Sequence, residues 1–187
     1  MIRVLFACLL VSQLAGCAAA IVAGTVGTAV MVNDNRSVGS QIDDHTIELE
    51  VMAALSNHKD LSNQTRISAT SVNQQVLLVG QVPNQMLHTK AVQLIKQIDG
   101  VERVHDQLRT GNPLGFTSRS NDSWITTKVK SRMLSNDKLN SLRIKVVTEN
   151  REVFLLGVIS QQEAKLAVDI ARNTDGVSKV IKVFQYR

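Results

Sequence analysis

Apolar residues recur at every fourth position in two separate stretches of the chain. Asp44 is followed by apolar residues at positions 47, 51 and 55, and Asp122 is followed by apolar residues at positions 125, 129 and 133. Because an α-helix turns by about 100° per residue, this spacing places the apolar side chains on one face. The pattern predicts two amphipathic helices, and we expect Asp44 and Asp122 to cap their N-termini.

A β-hairpin is predicted after each of these helices. Residues 66–80 read RISATSVNQQVLLVG and residues 143–157 read RIKVVTENREVFLLG. Each segment holds two runs rich in β-branched residues, separated by Asn-Gln or Asn-Arg, which is typical of a hairpin. The two segments align without a gap and share Arg-Ile, an asparagine and Val-x-Leu-x-Gly, so we interpret them as copies of one unit.

A second helix and a final strand complete each copy. The segment AVQLIKQIDGVERV at residues 91–104 pairs with AVDIARNTDGVSKV at residues 167–180. We predict helices over about residues 84–98 and 161–174, with Gly100 and Gly176 at their C-caps. The last strands are expected at residues 101–108 and 177–186. Each unit therefore has the order helix, strand, strand, helix, strand.

A three-stranded mixed sheet packed on two helices is an α+β architecture that suits a unit of this length. The Val-x-Leu-x-Gly before the second helix and the Asp-Gly-Val after it resemble the BON domain, a small αββαβ module of bacterial envelope proteins. On this resemblance the chain is predicted to hold two tandem BON domains, at residues 43–110 and 122–187. The stretch between them, residues 111–121, is rich in glycine and polar residues and contains a proline, so it is predicted to be a linker.

The N-terminal sequence MIRVLFACLLVSQLAGCAAA has the anatomy of a secretory signal peptide. Its Leu-Ala-Gly-Cys ending resembles the lipobox of bacterial lipoproteins, which implies that residues 1–16 are removed and that Cys17 is acylated. Residues 17–42 would then tether the first domain to the lipid anchor. The residues after the cysteine are Ala18 and Ala19. An aspartate here would resemble a signal that retains lipoproteins in the plasma membrane. We therefore expect the protein to be anchored in the outer membrane and to face the periplasm.

An uncleaved membrane anchor is the alternative for this segment. No charged residue lies between Arg3 and Asp34, and roughly 20 apolar residues suffice to span a bilayer. The short apolar run and the glycines at positions 16, 24 and 27 favour the lipoprotein.

The two copies carry opposite net charge. Residues 43–109 hold six Lys/Arg and eight Asp/Glu, whereas residues 122–187 hold twelve and seven. A basic half is also found in proteins that bind nucleic acid. Export from the cytoplasm and the single aromatic residue near the basic helix argue against that class of partner.

The basic helix after Asp122 presents the most distinctive outward face. Its spacing directs Trp124 and Leu134 away from the apolar stripe, beside Lys128. Indole suits the headgroup boundary of a bilayer, and each nearby cation attracts anionic lipid by ~1 kcal/mol. The BON resemblance implies that this helix binds anionic phospholipids such as phosphatidylglycerol or cardiolipin. The predicted lipid-binding residues are Trp124, Thr127, Lys128, Lys130, Ser131, Arg132 and Leu134. Alternatively, Trp124 folds back onto the linker or the first domain and leaves an ordinary solvated basic face.

No recognised catalytic or metal-binding arrangement occurs in the sequence. The four histidines, at positions 45, 58, 88 and 105, are scattered, and the motifs of zinc proteases, serine hydrolases and phosphate loops are absent. We therefore expect no enzymatic activity, no metal and no cofactor.

The sequence thus predicts an outer-membrane lipoprotein that binds anionic phospholipids through the first helix of its second domain. The resemblance further implies a role in envelope integrity and enrichment at the division site. The alternative is a protein-interaction adaptor, in which the same surface docks on an outer-membrane assembly factor or on a regulator of cell-wall amidases.

Overall fold

The computed structural model describes residues 38–187, which contain two successive α+β units. The first comprises α1 (Val38–Asn57), α2 (Lys59–Gln64), β1 (Arg66–Val72), β2 (Gln75–Val82), α3 (Gln85–Lys96) and β3 (Arg103–Thr110). The second comprises α4 (Phe116–Leu134), a 3-10 turn (Ser141–Arg143), β4 (Lys145–Glu149), β5 (Glu152–Ile159), α5 (Gln161–Arg172) and β6 (Lys179–Tyr186). The predicted order of elements is confirmed, and the short helix α2 is additional.

Each unit has one three-stranded mixed sheet with its second strand in the middle. The orders are β1-β2-β3 and β4-β5-β6. The first pair in each sheet is antiparallel and the second pair is parallel, with α3 or α5 as the crossover. These sheets confirm the predicted α+β fold.

One face of each sheet forms a core with its own helices. In the first unit, Val76, Leu78 and Val82 of β2 pack with buried residues of α1 and α3. In the second, Val153, Leu155 and Ile159 of β5 do the same with α4 and α5. The helix residues involved are Ile47, Val51, Leu87, Ala91 and Ile95 in the first unit, and Ile125, Val129, Met133, Ala164, Ala167 and Ala171 in the second. The predicted apolar stripes therefore lie inward.

The opposite faces of the two sheets pack against each other. Leu77 and Val79 of β2 form a third apolar cluster with Phe154 and Leu156 of β5. Beside this cluster, Gln81 Nε2 donates a hydrogen bond to Glu149 Oε1 across 2.7 Å in a buried position. The units thus form four layers, with helices outside and two sheets inside.

Asp44 and Asp122 do not cap helices, which corrects the prediction made for them. α1 begins at Val38 and α4 begins at Phe116, so both aspartates lie inside helices and are buried. The start of α4 also lies within the segment predicted as linker. The carboxylate of Asp44 accepts hydrogen bonds from the backbone N–H groups of Asn73 and Gln74, at 2.7 and 2.9 Å.

Asp122 makes the same contacts in the second unit. Its carboxylate accepts hydrogen bonds from Asn150 N and Arg151 N, both at 2.8 Å. The two turn residues of each hairpin have positive φ values between 50° and 64°, as in the tight turns that match the twist of paired strands. Backbone N–H groups withdrawn from water need an acceptor, and the helix supplies it as a carboxylate.

Gly100 and Gly176 also differ from the prediction. α3 ends with Gln97 as its C-cap and α5 ends with Asn173, so both glycines lie three residues farther on. They have φ values of 81° and 97° in the turns that lead to β3 and β6. Glycine adopts this left-handed conformation without steric cost.

Candidate functional site

α4 presents an exposed outer face with two large apolar side chains. Trp124 is 62% exposed and Leu134 is 70% exposed, whereas Ile125, Val129 and Met133 on the inner face are buried. The prediction that Trp124 points outward is confirmed. This exposure disagrees with the alternative, in which the indole folds back onto the linker or the first domain.

A shallow groove, here named the α4–α5 groove, runs beside this face. It has a volume of about 290 Å³ and contains five of the predicted residues together with two residues that follow α5. The lining residues are Trp124, Thr127, Lys128, Ser131, Arg132, Thr174 and Asp175. The structure therefore brings together most of the predicted lipid-binding residues on one side of α4.

Two cations are held in this groove by Asn173, Thr174 and Asp175, which follow α5. Lys128 Nζ donates a hydrogen bond to the backbone carbonyl of Asp175, and the Arg132 guanidinium donates to the carbonyl of Asn173 and to Thr174 Oγ1. Backbone carbonyl and hydroxyl oxygens carry only partial negative charge, so they position these cations without neutralising them. The ion pairs among residues 38–187 do not include Lys128 or Arg132.

Lys130 and Leu134 lie on the other flank of α4. They line a second groove of about 280 Å³ with Met133, Ser141, Leu142, Ile144 and Val146. Leu142 is 48% exposed there. Sequence reasoning missed Leu142 because it lies in a 3-10 turn, outside any helical periodicity. Its only signal was an isolated leucine between polar residues.

Two histidines of the first domain have polar side-chain partners. His88 Nε2 lies 2.7 Å from Asp106 Oδ2, and His105 Nε2 lies 2.8 Å from Gln75 Oε1. Burial, together with the nearby Arg103, lowers the pKa of His105. Within residues 38–187 no three His, Cys, Asp or Glu side chains are grouped so that they could hold a metal ion.

Several predictions concern the N-terminal part of the chain. The signal peptide at residues 1–16, the acylated Cys17 and nearly all of the tether at residues 17–42 lie outside the described residues. In the part that the structure describes, no helix is both long and apolar enough to cross a membrane.

Comparison with known proteins identifies relatives over most of the chain. The BON domain family matches residues 43–112 and 121–187. The chain is 42% identical over 173 residues to the outer membrane lipoprotein DolP of Haemophilus influenzae, covering 92% of this chain and 90% of that protein. It is 42% identical to the 21 kDa hemolysin of Actinobacillus pleuropneumoniae, over 82% of this chain and 79% of that one. Identity to the osmotically-inducible protein Y of Escherichia coli is 33%, over 76% and 72% of the two chains.

Proposed function

Because this chain belongs to the BON domain family and is an outer-membrane lipoprotein of the dual-BON type, we propose that it binds anionic phospholipids through α4. Phosphatidylglycerol and cardiolipin are the proposed lipids. The contact residues would be Trp124, Thr127, Lys128, Lys130, Ser131, Arg132 and Leu134.

The exposure of Trp124 beside unneutralised cations is the observation that carries this proposal. An indole that is 62% exposed on a folded domain leaves apolar surface in water. The headgroup region of a bilayer accommodates both its apolar rings and its N–H donor. Lys128 and Arg132 lie in the same groove, where they can attract lipid phosphates because their protein partners are uncharged.

The acyl anchor and α4 would act in sequence. Acyl chains on Cys17 keep the protein at one membrane, since each buried methylene contributes ~0.8 kcal/mol. A tethered second domain then meets lipid headgroups at a high effective concentration, so a weak interfacial contact is sufficient. Lipid composition would decide whether α4 is docked or free.

This binding activity supports a proposed role in envelope integrity. The resemblance to DolP-like lipoproteins further suggests enrichment at the division site, where anionic lipids concentrate. The proposal is for a binding protein and not for an enzyme, because the recognised features of the second domain attract a surface and do not assemble reacting groups.

A protein-interaction adaptor is the second candidate. The apolar groove with Leu134 and Leu142 favours it, because two exposed leucines that line one groove also suit the core of a protein interface. Its partner would be an outer-membrane assembly factor or a regulator of cell-wall amidases.

The fluorescence of the single tryptophan tests the proposal. The acylated chain is inserted into phosphatidylcholine nanodiscs that contain increasing fractions of phosphatidylglycerol. We expect the Trp124 emission to shift to the blue only when phosphatidylglycerol is present, and the shift to weaken with salt. A solvent-like spectrum at every composition would reject lipid binding.

Charge reversal on α4 separates the two candidates. The double variant Lys128→Glu, Lys130→Glu is expected to abolish the blue shift. The double variant Lys59→Glu, Lys96→Glu in the first domain is the control, because it changes the net charge by the same amount. Lys59 and Lys96 are exposed. An intact blue shift in the α4 variant, together with loss of envelope integrity in cells, would favour the adaptor.

A further inference from the structure

A second basic groove lies on the far side of α5, between this helix and β6. It has a volume of about 430 Å³ and is here named the α5–β6 groove. It is lined by the cations Lys165, Arg172 and Lys182, by one acidic residue, and by apolar and polar residues. The other lining residues are Gln161, Ala164, Val168, Asp169 and Tyr186. None of these residues belongs to the α4 site described above.

The first domain shows that the BON fold does not require cations at all three of these positions. α3 and β3 correspond residue by residue to α5 and β6, so His88 corresponds to Ala164 and Asp106 to Lys182. In the first domain His88 Nε2 and Asp106 Oδ2 lie 2.7 Å apart and bridge the helix to the strand. In the second domain Ala164 stands in place of the histidine, and Lys182 stands in place of the aspartate. The bridge is therefore lost and the space between helix and strand becomes positively charged.

The cations of the groove remain available for an external anion. Lys165 and Lys182 form no ion pair among the residues that the structure describes. Arg172 pairs with Asp169 at 3.1 Å, but the two side chains are 63% and 38% exposed, so solvent weakens this pair. Lys165 and Arg172 are seven residues apart and project on the same side of α5. The corresponding positions of the first domain are Thr89 and Lys96, so the groove gains positive charge at two positions, 165 and 182.

We propose that the α5–β6 groove is a second headgroup site, in which Lys165, Arg172 and Lys182 bind the phosphate of an anionic phospholipid. This inference rests on the proposed function, because it assumes that α4 docks on a membrane. Lysine supplies a point charge, and the arginine guanidinium can donate two parallel hydrogen bonds to one phosphate.

The position of the groove favours lipid over a soluble anion. Arg172 is the last residue of α5, and the residues that follow it, Asn173 to Asp175, are those that contact Lys128 and Arg132 of α4. The two grooves therefore flank the same helix end on the outer helical layer. Tyr186, which also lines the groove, is 52% exposed, and tyrosine is enriched at membrane interfaces.

The test uses the acylated full chain in nanodiscs of phosphatidylcholine with increasing phosphatidylglycerol. Lys165→Glu with Lys182→Glu is expected to raise the phosphatidylglycerol fraction needed for half of the Trp124 blue shift by roughly threefold or more. The full blue shift should still be reached at high phosphatidylglycerol, because α4 is unchanged. Lys165→Arg with Lys182→Arg should behave as the wild type, and so should the Lys59→Glu, Lys96→Glu control.

The outcomes distinguish this inference from the function on which it rests. A wild-type chain without any blue shift would reject lipid binding as a whole. A wild-type blue shift that the Lys165→Glu, Lys182→Glu variant reproduces at the same phosphatidylglycerol fraction would reject the second site alone. An equal loss in the Lys59→Glu, Lys96→Glu control would also reject it, since net charge would then explain the effect. Unchanged nanodisc binding with lost binding to purified peptidoglycan would assign the groove to a glycan and overturn the lipid proposal.

Discussion

The carboxylate of Asp122 accepts a hydrogen bond of 2.8 Å from the backbone N–H of Arg151, which lies in the tight turn between β4 and β5. Through this contact α4, the helix that carries Trp124, is joined to the hairpin of its own domain. Asp44 and Gln74 make the same contact in the first domain. The helix of each domain is thereby fixed at one point relative to its sheet.

Asp122→Ala is expected to destabilise the protein by about 2–4 kcal/mol, because it leaves two turn N–H groups without their charged acceptor. Asp122→Asn should cost less, since its amide oxygen can still accept one of the two bonds. Urea unfolding followed by circular dichroism measures both. Asp137→Ala, at an exposed position after α4, is the control, and equal losses for Asp122→Ala and Asp137→Ala would contradict the assignment.

The glycine of the Val-x-Leu-x-Gly motif is explained by the close approach of a backbone carbonyl. A Cβ built on Gly157 would lie 2.4 Å from the carbonyl oxygen of Arg143, and one built on Gly80 would lie 1.9 Å from that of Arg66. Gly157→Ala is therefore expected to cost at least about 2–3 kcal/mol in the free energy of unfolding. Gly115→Ala, where a Cβ meets open space, should be nearly neutral in the same measurement.

The packing of the two sheets predicts that the domains unfold together. Phe154 is fully buried in the cluster between the sheets, so Phe154→Ala should cost about 3–5 kcal/mol. The exposed pair of Arg109 and Glu152, 3.0 Å apart across the two domains, should contribute no more than about 1 kcal/mol. Two separate thermal transitions in the wild type, or a larger effect for Arg109→Ala than for Phe154→Ala, would contradict this.

Leu142 is predicted to enter the lipid interface with Leu134. Leu142→Ser should weaken nanodisc binding by roughly 1 kcal/mol, because about half of a leucine side chain would no longer be buried in the bilayer. Leu49→Ser in the first domain is a matched control, since Leu49 is similarly exposed on α1. If lipid binding falls equally in both variants, the groove that contains Leu134 and Leu142 has no special role in it.

Glu163 makes stability depend on pH on the acid side. The Ser160 backbone N–H, which donates to the carboxylate, lowers the pKa of Glu163, and the Ser160 hydroxyl and Arg187 add to this effect. A depressed carboxyl pKa stabilises the folded state above the unfolded pKa of 4.5 and loses this contribution as pH falls through the folded pKa.

Thermal melting between pH 7 and pH 3 tests this dependence. Glu163→Gln should lower the melting temperature at pH 7, and the difference from wild type should shrink as the pH approaches 3. Glu102→Gln, at an exposed position, should show the same dependence of melting temperature on pH as the wild type. A constant difference between Glu163→Gln and wild type at every pH would contradict the assignment.

The sequence alone determined the repeated unit, the order of its main elements and the outward direction of Trp124. These features depend on local spacing: a helical period places Ile125, Val129 and Met133 inward wherever the sheet lies, and Trp124 then faces outward. The resemblance to the BON family also depended on local sequence, because the Val-x-Leu-x-Gly motif lies within a single strand of each domain.

Contacts between residues far apart in the sequence depend on how the elements pack, and local spacing does not reveal them. Asp122 looked like a helix cap because it comes just before the apolar stripe of α4. Its actual partner, the turn at Asn150, is distant in the sequence and is brought to it by the fold. The apolar residues on both faces of β5 did not reveal that Phe154 faces another domain. Likewise, Lys165 and Lys182 share a groove because a parallel strand returns beside the helix that precedes it. Helical and strand periods specify which side of an element is apolar, whereas packing between elements specifies what that side meets.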